Sequence, residues 1–357
     1  MKIGLLIYGS LDTVSGGYLY DRKLVEYLRA QGDTVEIISL PWRNYAAHLM
    51  DNFRFRLPPG LDLLIEDELN HPSLIRANRP PHPYPVISLV HHLRCSELRP
   101  RWQNDLYRIF EKQYLHSVDG FIFNSKTTAG VVNSIAQNDK PSIIAFPPTD
   151  RFADKALSAT TVKERAHNGP LRILFLGNVI YRKGLHTLLK AVSQQPAAMH
   201  VDVVGGFGAE PEYADEMRKF VATNALSAAV TFHGALDNQP LIELYRRAHV
   251  MVVPSSYEGF GIVYLEGMGF GLPAIGTTAG AASEVITHGS DGYLIEPDDA
   301  QALAGHLAEL ASNRELLTQL ALQAVLRYQA QPKWEATAQR IREFLYQMTG
   351  AHLVTRR

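Results

Sequence analysis

Ile3-Gly4-Leu5-Leu6-Ile7-Tyr8 is an unbroken apolar run that stops at Gly9-Ser10, the form of a strand buried on both faces. Such a strand belongs to a parallel sheet with helices on either side, because parallel neighbours need long crossover connections. The chain keeps that rhythm. Similar runs stand at 35–40, 61–65, 86–90 and 121–123, each followed by a loop or a helical stretch. Residues 18–30 have helical spacing, with Leu19, Leu24, Val25 and Leu28 on one side and Gly32 as the stop. A second series begins after a polar interval, with strand-like runs at 171–176, 201–204, 230–232, 251–253 and 273–276. Two Rossmann-like α/β domains are expected.

The chain's 357 residues suit two domains of ordinary size. Pro147-Pro148 closes the first, so the expected division is 1–148, a connecting stretch 149–170, a second domain 171–331 and a terminal helical segment 332–357 that crosses back to the first. Trp334 is the expected anchor of that segment. A net charge of −1 lacks the basic footprint of a nucleic-acid binder. The single cysteine, Cys95, permits neither an internal disulfide nor a cysteine zinc site and fits a reducing cytosol. The first apolar run is too short for a signal peptide or a membrane span, and no other run reaches about 18 apolar residues. A soluble cytoplasmic protein is expected, with peripheral contact to the inner face of a membrane left open.

Ligands of doubly wound sheets bind beyond the carboxyl ends of the strands, so the polar residues there are the first candidates. Ser15-Gly16-Gly17 reads as a glycine loop ahead of a helix, without a P-loop lysine. Glu66-Asp67-Glu68 is expected to be a solvated loop end rather than a metal site. His91-His92 is more telling, since two histidines close an apolar strand. Asn124-Ser125-Lys126 places Ser125 to cap the next helix. In the second series Arg182 and Lys183 follow a strand, and Asp298-Asp299 starts a helix. The stretch from Arg94 to His116 is basic and aromatic. From Trp102 it reads as an amphipathic surface helix, alternatively as a patch for an anionic or lipid-linked acceptor at a membrane.

The most informative stretch is PSSYEGFGIVYLEGMGFGLPAIGT at 254–277. A strand, a glycine-rich turn and a helix from Ile262 to Phe270 leave amides around Gly261, Ile262 and Val263 for a phosphate. Glu266, one turn inward, is placed for the vicinal hydroxyls of a ribose. Glu258 would face whatever the phosphate carries.

With Glu258 and Glu266 flanking that turn, the stretch resembles the donor-binding signature of retaining glycosyltransferases of family 4, which have the GT-B fold. The resemblance implies two Rossmann-like domains facing a cleft, with domain closure assembling the chemistry. It implies transfer of a sugar from a nucleotide diphosphate to a glycan, lipid-linked or small-molecule acceptor. Ser255, Gly259, Phe260, Gly261, Ile262 and Val263 would form the donor loop, with Glu266 on the ribose and Glu258 on the sugar hydroxyls. Lys183-Gly184 matches the family's K-G element, and Lys183 with Arg182 would stabilise the departing diphosphate. Asn178 stands where the family has an arginine. Ala235 and Leu236 would receive the base through backbone groups. Gly16 and Gly17 would face the diphosphate and acceptor. His91 would approach the donor sugar, with His92 in place of the usual Asp. No metal or other cofactor is expected, since there is no convincing D-x-D. A nucleotide-sugar epimerase of the same fold, or a non-catalytic sugar-nucleotide binder, remains the alternative.

Overall fold

The computed structural model describes residues 1–350 apart from positions 14, 138, 149 and 156. The chain divides into two compact units, Met1–Pro148 with Pro332–Arg357, and Thr149–Gln331.

In the first unit, β1 (Lys2–Tyr8), β2 (Thr34–Leu40), β3 (Leu63–Asp67), β4 (Val86–Val90), β5 (Gly120–Phe123) and β6 (Ser142–Ile144) form one parallel sheet of order β2-β1-β3-β4-β5-β6. Its crossovers carry α1 (Gly16–Ala30), α2 (Tyr45–Asp51), α3 (His71–Leu74), α4 (Arg101–Ser117) and α5 (Lys126–Ala136). The unbroken apolarity of β1 now has its cause. Ile3, Leu5 and Ile7 pack on one side with Tyr20, Leu24 and Leu28 of α1, while Leu6 packs on the other with Tyr114 and Leu115 of α4.

In the second unit, β7 (Leu171–Leu176), β8 (Met199–Val204), β9 (Val230–Gly234), β10 (Val250–Val252), β11 (Ala274–Thr277) and β12 (Gly292–Ile295) form a parallel sheet of order β12-β11-β10-β7-β8-β9. Around it lie α6 (Ala159–Ala166), α7 (Leu185–Val192), α8 (Pro211–Thr223), α9 (Asn238–Arg247), α10 (Ile262–Gly269), α11 (Ala300–Ser312) and α12 (Arg314–Gln329). The last helix, α13 (Trp334–Thr349), belongs to the first unit. Its Ile341 and Leu345 join the core of β1. Trp334 meets Tyr20 edge-on at 5.0 Å, and Arg342 donates to Asp33 at 2.7 Å. Residues 351–357 of the expected segment lie outside the described residues.

Several boundaries differ from the sequence reading. The loop expected at Ser15-Gly16-Gly17 is shorter, because Ser15 caps α1 by accepting from the Tyr18 amide at 3.2 Å, so Gly16 and Gly17 are already helical. The stretch 149–170, read as a polar connection, carries α6. Val162 and Ala166 are buried there, and Arg165 donates to the carbonyls of Phe270 and Gly271 at 2.8 and 2.7 Å. It is therefore part of the second unit's packing, positions 149 and 156 being outside the described residues. Strands β6 and β12 lie at sheet edges and lack a clear apolar run.

Each sheet reverses its winding once, beside β1 in the first unit and between β7 and β10 in the second. The crevice at such a switch point is where an open α/β sheet binds its ligand.

Candidate functional site

In the second unit the switch point brings together the loop after β7 and the loop after β10. Gly184 makes their approach feasible. It has φ +71°, and a Cβ there would stand 2.0 Å from the Pro254 carbonyl oxygen. The loops are then laced together: Arg182 donates to the Tyr257 carbonyl at 2.9 Å, and the Ser256 amide donates to the Arg182 carbonyl at 2.8 Å. Lys183 Nζ sits 2.6 Å from Glu258 Oε2, and Ser255 Oγ donates to that same oxygen at 3.1 Å. Burial pushes the Lys183 pKa down, opposed by the carboxylate beside it. Burial would push Glu258 up, but the charges of Lys183 and then Arg182 outweigh it and hold the group below the usual carboxylate range. The two form a largely buried ion pair.

Gly261 precedes α10 with φ +93°, and a Cβ there would lie 2.5 Å from the Tyr264 ring. That ring is fixed by a 2.6 Å hydrogen bond from its hydroxyl to the Val253 carbonyl. The helix start has no side-chain cap, which leaves the Ile262 and Val263 amides for an outside acceptor. Phe260 is buried behind the turn, and Gly259 lies between it and Glu258.

Glu266, one turn on, is buried with both oxygens engaged. Arg151 Nη1 donates to Oε1 at 3.1 Å and the Tyr245 hydroxyl to Oε2 at 2.9 Å, while Arg151 Nη2 also reaches Asn238 at 2.7 Å. Neither Arg151 nor Tyr245 is signalled by the sequence. Further along the same sheet edge, Asn178 follows β7, and the next residue's amide donates to the Gly206 carbonyl at 2.9 Å. Ala235 and Leu236 follow β9 beside Gly234, whose carbonyl accepts from the Gly205 amide at 2.9 Å. The loops after β7, β8 and β9 thus form one continuous rim. Asp299 caps α11 by accepting from the Ala302 amide at 2.8 Å.

In the first unit the switch point gathers Asp21 from α1, Asp67 from β3 and His91 after β4. His91 Nε2 lies 3.2 Å from Asp21 Oδ1, and the backbone at Gly17 packs beside the imidazole. Burial alone would lower the His91 pKa. The hydrogen bond and charge of Asp21, with Asp67 and Glu68 behind it, outweigh burial and push it up to about 9, so the ring is an imidazolium at neutral pH. Asn124 Nδ2 donates to the His91 carbonyl at 2.8 Å, and Ser125 caps α5 by accepting from the Thr128 amide at 3.0 Å. His92 meets Glu97 at 2.9 Å.

Glu66-Asp67-Glu68 is not a solvated loop end. All three are buried, because β3 is an inner strand that runs on to Asp67. Asp67 accepts from the Leu69 amide at 2.9 Å, and Glu66 accepts from Asn78 at 2.7 Å. Burial pushes the Glu66 pKa up to about 8, which makes it a neutral acid at pH 7. Among the described residues, two trios bring potential metal-ligand atoms within 4.8 Å of one another: Asp21, Asp67 and His91, and Glu68, His71 and Glu111. The second is occupied with the protein's own groups. His71 uses one nitrogen with Tyr45 at 2.9 Å and the other with the Glu68 carbonyl at 3.1 Å, and Glu111 accepts from the amides of Arg94 and Cys95. By donor type the first trio suits a divalent cation.

The sequence model of the family described as Glycosyl transferases group 1 matches residues 159–326. These residues resemble a glycosyl transferases group 1 domain. Arg182, Lys183, Glu258, Glu266 and the start of α10 all fall inside it. The chain is 29% identical over 251 residues to the D-inositol 3-phosphate glycosyltransferase of Corynebacterium urealyticum, covering 66% of this chain and 58% of that protein. It is 28% identical over 261 residues to the D-rhamnosyltransferase WbpZ of Pseudomonas aeruginosa, covering 69% and 67%. The match thus spans about three-fifths to two-thirds of these relatives' length. Among solved structures, sucrose-phosphate synthase from Thermosynechococcus elongatus superposes with a TM-score of 0.81 at 21% identity, over 98% of this chain and 100% of that one. HepE of Anabaena in complex with UDP-glucose gives 0.75 at 17% identity, over 97% and 100%. The fold is GT-B, built of two Rossmann-like units.

The domain brings Arg182, Lys183, Ser255, Glu258, Gly259, Phe260, Gly261, Ile262, Val263 and Glu266 around one switch point, with Asn178, Ala235 and Leu236 along its rim. Gly16, Gly17 and His91 cluster around the other, in the first unit.

Proposed function

We propose that the chain is a retaining glycosyltransferase of the family-4 type, moving a sugar from a nucleotide diphosphate to an acceptor hydroxyl. What supports this most is the Lys183–Glu258 pair beside the uncapped start of α10, within the residues that resemble a glycosyl transferases group 1 domain. A diphosphate would accept from the Ile262 and Val263 amides. Lys183 keeps two further N–H groups beyond the one directed at Glu258, and with Arg182 it would offset the charge gathering on the leaving oxygen. Glu258 Oε2 holds Lys183 and Ser255, which leaves Oε1 for a sugar hydroxyl.

In the reaction the bond from the anomeric carbon to the diphosphate breaks. The acceptor oxygen bonds to that carbon on the same face, and its proton passes to the departing phosphate. No carboxylate nucleophile is required, and no metal or other cofactor takes part in this proposal. His91, as an imidazolium, supplies a hydrogen bond and positive charge rather than a base. Glu266 would take the ribose hydroxyls once Arg151 releases it. UDP-glucose bound to the structurally similar HepE supports the donor class. The acceptor is a glycan, a lipid-linked or a small-molecule hydroxyl, and the protein works in the cytoplasm, partly at the inner face of a membrane.

Thermal-shift screening with UDP, GDP, ADP and TDP tests donor binding, since a ligand of the folded state raises the transition. Transfer assays with the matching sugar nucleotides, read by the anomeric coupling of the product, test the rest. Inversion would overturn the stereochemistry. Epimerisation of the donor without acceptor, or binding with no transfer to any acceptor, would replace the proposal with the epimerase or the binder.

A further inference from the structure

Helix α4 buries Tyr114 and Leu115 on its inner side but is also apolar on its outer side. Its inner side includes the fully buried Glu111, whose carboxylate accepts from the amide of Arg94 at 2.6 Å and from that of Cys95 at 3.3 Å. Its outer side carries Trp102, Leu106 and Ile109, which are 67%, 45% and 54% exposed. Their spacing of four and three residues places them in one stripe along the helix. The neighbouring stripe holds Arg101, Asp105, Arg108 and Lys112, all exposed.

The surface continues beyond the helix. An open groove of about 530 Å³ separates α4 from the segment after α3, with Ile75, Arg79, Ile109, Lys112 and His116 on its walls. Next to it Arg76 lies 5.5 Å over the ring of Phe53, itself exposed. One face of the first unit therefore combines a line of large apolar side chains with Arg76, Arg79, Arg101, Arg108 and Lys112, and on the exposed side of α4 Asp105 alone opposes them.

We propose that this face docks on an anionic lipid bilayer, with Trp102, Leu106 and Ile109 entering the headgroup layer and the flanking cations meeting lipid phosphates. The charge argues for this occupant. A second copy of the chain would set the same five cations against themselves, because a twofold interface repeats one patch on both sides. Water alone would leave a tryptophan and two aliphatic chains uncovered in a single row. A bilayer surface satisfies both halves of the pattern, apolar chains at the acyl boundary and cations among the headgroups. Docking is peripheral, since no described helix is long and apolar enough to cross a membrane. The inference gives a surface to the membrane placement proposed above and does not depend on the transfer reaction.

The test uses the full chain and sedimentation with large vesicles of phosphatidylcholine alone or with 30% phosphatidylglycerol. Binding is expected only with the anionic lipid and should weaken as salt rises. The paired substitution Arg108→Glu with Lys112→Glu should lower the partition coefficient about 30-fold or more. Trp102→Ser with Ile109→Ser should lower it comparably while keeping the thermal transition. Tryptophan fluorescence should be quenched by brominated phosphatidylglycerol and spared in Trp102→Phe. Nucleotide thermal shifts should stay unchanged in all these variants, so failure here is separable from failure of the transferase reading. Equal binding to neutral vesicles, no binding to anionic ones, or a concentration-dependent dimer that these substitutions dissociate would overturn the proposal.

Discussion

The Lys183–Glu258 pair offers the sharpest test, because structure and chemistry make different demands on it. Both side chains are largely buried, 14% and 13% exposed, at 2.6 Å. Removing one partner of a buried pair leaves the other charge uncompensated, at about 3 to 5 kcal/mol. Lys183→Met should fall at the lower end, since Glu258 keeps the Ser255 hydroxyl and the nearby Arg182 charge. Glu258→Leu should fall at the upper end, because it strands an ammonium. The double variant should cost no more than the worse single one, giving a coupling energy of about 3 kcal/mol. Urea unfolding reads this as a midpoint shift of about 1 M or more for the second unit, whose transition is the one a nucleoside diphosphate displaces. Transfer should behave otherwise. If the pair handles the diphosphate and sugar, all three variants lose about 100-fold or more in kcat, and the double variant, though less destabilised than the sum of the singles, is no faster than either. Additive stability costs would refute the buried pair. Wild-type transfer by the double variant would refute its chemical role.

Three further outcomes follow from other contacts. Gly261→Ala must hold φ +93° against the Tyr264 ring, so it should cost about 1 to 3 kcal/mol, with a larger loss of nucleotide affinity, measured by urea titration and calorimetry. Arg151→Ala frees Glu266 and should tighten nucleotide binding about fivefold by calorimetry, whereas weaker binding would make Arg151 a ligand contact. Burial would raise the Asp33 pKa, but Arg342, the Met1 amino group and Tyr346 outweigh it and hold it low. The stability it contributes is therefore full above the ordinary carboxyl range, about pH 4, and drains away as pH falls through the lowered pKa. Asp33→Asn should be less stable at neutral pH and show less acid sensitivity below about pH 4 by circular dichroism.

The second unit's site was legible because its parts are contiguous in the chain or carried on short loops. The turn, the uncapped helix start and both glutamates lie within 254–266, so local rules of strand, glycine and helix place them. Arg151 and Tyr245 escaped the same rules. They meet Glu266 across 115 and 21 positions, and nothing in a polar stretch or a helical tyrosine announces that meeting. The misreading of Glu66-Asp67-Glu68 has a different cause. Apolar residues go inside, but the converse does not hold for polar ones, and burial there is set by neighbours far along the chain. β3 lies between β1 and β4, with Glu66 paired to Leu6 and Ser88, so two carboxylates complete a strand whose apolar run has already ended. β2, an edge strand of the same sheet, buries Val35 alone and exposes Thr34, Glu36 and Ser39, as solvent access dictates. Position within the sheet, and not residue chemistry, separates a solvated strand end from a site. A polar run at the carboxyl end of an inner strand beside a switch point is therefore a candidate site, whereas the same run at an edge is a solvated end. Asp67 stands at such a position, together with Asp21 and the His91 imidazolium.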